Sequence, residues 1–384
     1  LVLLETMGGK RIVLRGITGF VLFLTLAGGH GTVSISLAQE IWSQKPSIPD
    51  REGFASPIAG VSHGALLVAG GANFPDAKPW EGGKKVYYDR VYILEEAKDR
   101  SDSEPVKQSE LLSSYTNPWK EVGRLPRPMA YGVSVTWRDR VLCAGGNDQD
   151  RVLDEVFALE LLDGKVVVTA LPSLPVPLTN ACGGMLGDTW IVCGGIEQRV
   201  DQAATSNAWR LDLANPKPRW ESIDPIPGPS RMLAMSAVAD GSFWVIGGVE
   251  LRSLETPDGK DRSLKRHYLS DAYRWSSDRG WRRAADLPTT LAAGPTPCPS
   301  DAEGIYVVGG DDGSQVGKSP LEHSGFSKEL LRLDLTSGSW QSVGAIPAPR
   351  VTVPCVRWLD GWVIPSGEKR PGIRSPEVWQ LIFP

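Results

Sequence analysis

Short apolar runs rich in Val, Ile and Leu recur along the chain, and each stops at a glycine pair. They read LLVAGG (Gly70, Gly71), VLCAGG (Gly145, Gly146), IVCGG (Gly194, Gly195), FWVIGG (Gly247, Gly248) and YVVGG (Gly309, Gly310). A sixth, WVIPSG, puts Ser366 where the others have the first glycine. Runs this short, bounded by turn residues, predict buried β-strands rather than helices. After each pair comes a loop and then a second strand: VYILEE, DEVFALEL, NAWRLDL, DAYRWSS, ELLRLDL and EVWQLIF. A Trp-bearing strand leading into a proline turn follows in four repeats: Trp119 to Pro126, Trp220 to Pro227, Trp281 to Pro288 and Trp340 to Pro347. The repeat that ends at Leu171-Pro172 lacks the Trp.

Successive glycine pairs lie 75, 49, 53, 62 and 57 residues apart. Four strands per unit and six units predict an all-β, six-bladed propeller of antiparallel blades, with glycines where neighbouring blades crowd. The pattern resembles the kelch family over residues 40 to 384. Ile41-Trp42 reads as an outer strand with no blade before it, and EVWQLIF as a third strand with no fourth, so both ends are expected to complete one blade. Residues 39–384 are read as a single propeller domain, because a closed ring leaves no internal boundary.

Composition agrees with many turns and strands: 42 Gly, 30 Pro and 14 Trp in 384 residues. The formal charge of −4 becomes −6 without residues 1–38, and no block of Lys or Arg is present, which argues against nucleic acid as a partner. Lys10, Arg11 and Arg15, then an apolar run from Ile17, then Ser36-Leu37-Ala38, read as a signal peptide over residues 1–38 cleaved near Ala38. That run is too short to span a bilayer. The expectation is a periplasmic or secreted protein with no stable membrane insertion after cleavage.

Of the five cysteines, Cys143 and Cys193 sit in apolar strands as small hydrophobes. Cys182 and Cys193 are equidistant from Gly187-Asp188, so a two-residue hairpin sets them opposite each other, either as a cross-strand disulfide or as packed thiols. No phosphate-cradling GxxxxGK[ST], HExxH, CxxC or GxSxG occurs. His63, His267 and His323 are not at metal-ligand spacing, so no metal is expected.

Two stretches stand out from the scaffold: Phe54 to Asp76, with the lysine-bearing PWEGGKKVYYD beyond it, and GEKRPGIR, Gly367 to Arg374. With AYGVSVTW (Ala130 to Trp137) they resemble the bacterial N-acetylneuraminate epimerase, or sialic acid mutarotase, family of kelch propellers. Gly367, Glu368, Pro371, Gly372, Ile373 and Arg374 fit that family's G-E-x-x-P-G-[IL]-R. Ile58 to Ser62 and Ala69 to Ala72 fit its F-A-G-[IV]-S and A-G-G-A, with Ile58 for Phe. The loop order is cyclically permuted, since GEKRPGIR is C-terminal here. A second departure is Met129 in Met129-Ala130-Tyr131-Gly132-Val133-Ser134, where the family has arginine; the nearest arginine is Arg127.

The resemblance implies interconversion of α and β anomers of N-acetylneuraminate by acid/base ring opening and reclosure, without a cofactor. It assigns Glu368 as proton acceptor, a role that suits a carboxylate whose pKa the cavity raises. Arg374 would hold the substrate carboxylate through a bidentate fork. Asn73 and Arg231 are further candidates for sugar contacts and Tyr131 for an apolar wall, while Lys84 and Lys85 read as a solvated rim. The alternatives are a Glu368–Arg374 ion pair without catalysis, a kelch module that binds a glycan or protein, and a mutarotase of another sugar. Proton donor, protein partners and oligomeric state are not read from the sequence.

Overall fold

The computed structural model describes residues 41–96, 118–198, 203–255 and 262–383. The segment read as a signal peptide lies outside these residues. Six small antiparallel sheets form a ring, a six-bladed β-propeller. Blade one is Ile58–Ser62, Ala65–Ala69, Arg90–Leu94 and Lys120–Arg124. Blade two runs Val133–Trp137, Arg140–Ala144, Val156–Leu162 and Lys165–Leu171, and blade three Cys182–Leu186, Thr189–Cys193, Ala208–Asp212 and Trp220–Ile223. Blade four is Met235–Ala239, Ser242–Glu255, Arg262–Ser276 and Gly280–Arg283.

Blade five has three full strands, Gly304–Gly310, Ser327–Asp334 and Trp340–Ala345. Its innermost position is held by a segment with prolines at 295, 297 and 299, which makes two isolated bridges, Ser300 to Ile305 within the blade and Thr296 to Pro354 across to blade six. Proline carries no N–H, so three alternating prolines remove the donors a ladder needs. Cys298 between them sends its N–H to the Ser236 carbonyl of blade four instead, at 2.6 Å.

Blade six is built from both ends, as the sequence predicts. Val356–Trp358, Gly361–Pro365 and Val378–Ile382 come from the C-terminal side. Ile41–Lys45 adds the outer strand, with Ile41 opposite Ile382 and Lys45 opposite Val378.

The glycine pairs sit where crowding was expected. All have positive φ, for example Gly145 at 65° and Gly146 at 98°, and a Cβ on Gly145 would stand 2.2 Å from the Leu178 carbonyl oxygen of the next blade. Ser366 tolerates the first position (φ 81°) because its hydroxyl donates to the Ser375 carbonyl at 2.7 Å and accepts the Phe54 N–H at 2.7 Å. Each repeat tryptophan clasps the blade before it: Trp119 Nε1 donates to Pro46 O, Trp220 to Pro172 O, Trp281 to Asp224 O and Trp340 to Ala285 O, at 2.7–3.0 Å.

Cys182 and Cys193 are cross-strand partners, as the hairpin spacing predicts, with sulfurs 3.7 Å apart and both thiols free and buried. Packed thiols, not a disulfide, fill the site. Among the described residues no helix is long and apolar enough to cross a membrane.

Candidate functional site

Each blade is entered through a residue in the left-handed region: Ser56 (φ 44°), Tyr131 (64°), Asn180 (54°), Leu233 (54°), Ala293 (58°) and Thr352 (50°). Their backbones form a closed circuit. Ser56 N–H donates to Thr352 O, Thr352 to Ala293, Ala293 to Leu233, Leu233 to Asn180, Asn180 to Tyr131 and Tyr131 to Ser56, at 2.6–3.2 Å. Left-handed φ is costly for side chains with a Cβ, and the circuit supplies a backbone partner at every member. These residues line a cavity on the ring axis. A second cavity lies further along the inner strands between Val61, Val135, Met185, Val238 and Trp362.

Tyr131 is the sequence-nominated residue that lines the axial cavity, and three charged side chains surround its phenol. Glu368 and Arg374 come from the GEKRPGIR loop, a small hairpin in which Glu368–Arg370 pairs with Ile373–Arg374 and Glu368 faces Arg374. Pro371 and Gly372 make its turn. Gly372 has φ 75°, as the third position of a type II turn requires, and a Cβ there would press on Pro79 and Trp80 at 3.1 Å. The loop is therefore docked against the segment that carries Lys85.

Arg374 Nη2 lies 3.0 Å from Glu368 Oε1, and the two side chains are only 4% and 14% exposed. Glu368 Oε2 accepts the Gly372 N–H at 3.3 Å. Arg374 Nε and Nη1 are buried without a hydrogen-bond partner, and among the described residues no other arginine has two such nitrogens. The Phe74 ring covers the guanidinium at 4.8 Å. Lys85 Nζ donates to Tyr131 Oη at 3.2 Å and stands 5.0 Å from that ring's centre and 6.0 Å from that of Phe74. Phe74 and Lys85 flank the last pair, Asn73 with Val86, of a two-residue hairpin, so a single backbone feature sets both. Burial pushes the Tyr131 phenol up to about 12, with the Glu368 charge adding to the rise and Arg374 opposing it.

Two candidates are corrected. Asn73 is fully buried, and its amide nitrogen donates to Asp50 Oδ1 (3.1 Å) and Gly53 O (2.9 Å) while its oxygen accepts Tyr88 Oη (2.8 Å). No N–H is left for a sugar. Arg231 is likewise fully buried, its guanidinium forked onto Asp271 at 2.8 Å for both bonds and capped by Gly247 O. Of the lysine pair, Lys84 is exposed as expected, whereas Lys85 is half-buried over Tyr131. The sequence missed Lys85 because adjacent lysines read as solvated charge; the aromatic residues they fold onto are distant in sequence.

The Met129 departure also has a structural answer. Met129 O accepts the Gly71 N–H just as Arg231 O accepts the Gly195 N–H, so the two occupy one repeat position. That position points into the blade: Met129 is fully buried, and Arg350, next to the bridge from Val351 to Glu368, binds Glu377. In blade two Arg127 takes over, reaching Glu155 at 2.8 Å.

Among the described residues no cluster of three or more His, Cys, Asp or Glu is placed to hold a metal. Residues 29–168 match the family model described as N-acetylneuraminate epimerase. Proteins carrying that name include one from Haemophilus influenzae strain 86-028NP, 27% identical over 240 residues, which are 55% of this chain and 59% of that protein. One from Salmonella typhi is 34% identical over 131 residues, 33% of this chain and 31% of that protein. The chain thus matches less than two thirds of the length of these relatives. The family match contains Phe74, Lys85 and Tyr131; Glu368 and Arg374 lie outside it and join them through the fold.

Proposed function

We propose that this similarity to N-acetylneuraminate epimerases extends to activity, and that the protein equilibrates the α and β anomers of N-acetylneuraminate or a closely related keto-sugar acid. The observation that carries this reading is Arg374: a buried guanidinium with two nitrogens unpaired beside a carboxylate asks for an acceptor such as a substrate carboxylate. Phe74 lies over the face of that guanidinium, and a carboxylate would meet the N–H groups in its plane.

With the substrate carboxylate held there, Glu368 takes the proton from the anomeric hydroxyl. The bond between the anomeric carbon and the ring oxygen breaks as that oxygen receives a proton, giving the open keto acid. Rotation next to the keto carbon and reversal of these steps closes the ring on the other face, so protons and electrons balance and no cofactor takes part. An N-terminal signal segment and an extracytoplasmic location belong to the same proposal, placing the enzyme where released sugar acids arrive.

One observation favours a non-catalytic binding module: both Glu368 oxygens already have partners. Proton NMR of freshly sialidase-released α-N-acetylneuraminate separates the readings. Acceleration over the uncatalysed rate that falls at least about a hundredfold in Glu368→Gln supports the base role. Binding without acceleration assigns a recognition module.

A further inference from the structure

We propose that Tyr131 is the acid that protonates the ring oxygen, and that Lys85 is the positioning residue that holds its phenol and stabilises the phenolate formed. The inference rests on the mutarotase reading above and supplies its missing proton donor. Lys85 donates to the phenol oxygen, so the phenol's own proton is free to point elsewhere. Tyr131 lines the axial cavity and its phenol lies within the electrostatic reach of Glu368 and Arg374. Among the nominated residues, Tyr131 is thus the one common to the cavity lining and to the surroundings of the ion pair. Its left-handed backbone is fixed by hydrogen bonds on both sides, to Ser56 O and from Asn180 N, which holds the ring in place.

The charges around the phenol are Lys85, Glu368 and Arg374. Burial, with the Glu368 charge adding to it, keeps the phenol protonated, the state a donor needs. Once Glu368 has taken the anomeric proton, its negative charge disappears and only the two cations act on Tyr131. Proton uptake by the base thereby makes the acid stronger at the moment the ring oxygen needs its proton. In the step, the phenol O–H bond breaks as the ring oxygen gains the proton, and the electron pair stays on the phenolate beside Lys85. Reclosure returns the proton.

The test is anomerisation of N-acetylneuraminate by the whole protein, with uncatalysed rates subtracted. Tyr131→Phe is expected to lower kcat about a hundredfold or more with KM nearly unchanged. Lys85→Met is expected to lower kcat about tenfold, and Lys85→Arg to restore most of that loss, which a merely structural lysine would not require. Unaltered thermal unfolding of each variant excludes misfolding as the cause. An active wild type, an inactive Glu368→Gln variant and a fully active Tyr131→Phe variant would overturn the donor role alone. A wild type without acceleration would overturn the mutarotase reading and this proposal with it.

Discussion

Arg231 and Met129 share one repeat position, and the contrast shows how little residue type says until its partner is known. Arg231 faces Asp271, whose carboxyl burial pushes up but which the hydrogen bonds and charge of Arg231, with Tyr273 and Arg283, together hold below the usual carboxylate range. Arg231→Met should therefore cost about 3–5 kcal/mol, because a buried carboxylate loses its partner. Chemical denaturation reads this loss, and Arg231→Met with Asp271→Leu should recover most of it. Full stability in the single variant, with impaired sugar binding, would instead return Arg231 to the site. The Glu368–Arg374 ion pair was legible as an alternative because its loop is contiguous and its Pro-Gly turn has one geometry. Asn73 and Arg231 were misread since the acids and carbonyls that occupy them, Asp50, Gly53 and Asp271, come from other strands and turns.

At the scale of strands, apolar runs and glycine pairs were legible because each repeat meets the same packing problem. The tryptophan strands were legible too, though not what their indoles do. Trp220 N–H crosses to Pro172 of the preceding blade while its ring tilts against Trp190 at 5.5 Å. Trp220→Phe keeps most of the packing and loses the bond, so unfolding free energy should fall by about 1 kcal/mol. A loss above about 3 kcal/mol would mean that packing dominates the clasp. The first strand of blade five was the least legible element, since Pro295, Pro297 and Pro299 erase the strand signal and its surviving N–H groups bond sideways.

Across the whole molecule, closure by the two ends was legible as a missing strand at each end, and the observed register of Ile41–Lys45 on Val378–Ile382 bears it out. Burial, first of all, pushes Tyr131, Tyr268 and Tyr306 up to about 12, with Asp311 and Asp301 accepting from the latter two. In the unfolded chain these phenols ionise near 10. The folded state holds their protons more tightly, so the stability they contribute is complete below about pH 10 and is lost as pH rises toward 12. Calorimetry should show a melting temperature that falls steeply in that window. A flat profile would place these phenols in water.

The circuit of backbone bonds through Ser56, Tyr131, Asn180, Leu233, Ala293 and Thr352 has a consequence for how such a molecule can change size. An extra blade would have to wedge its own entry residue between two members that already satisfy each other, severing a short bond at the narrowest part of the ring before any new one could form. Loops at the rim can lengthen without touching this eyelet, as the long arms of Ser242–Glu255 and Arg262–Ser276 do. Variation is thereby steered outward to length and decoration, while the number of blades is held fixed from the axis.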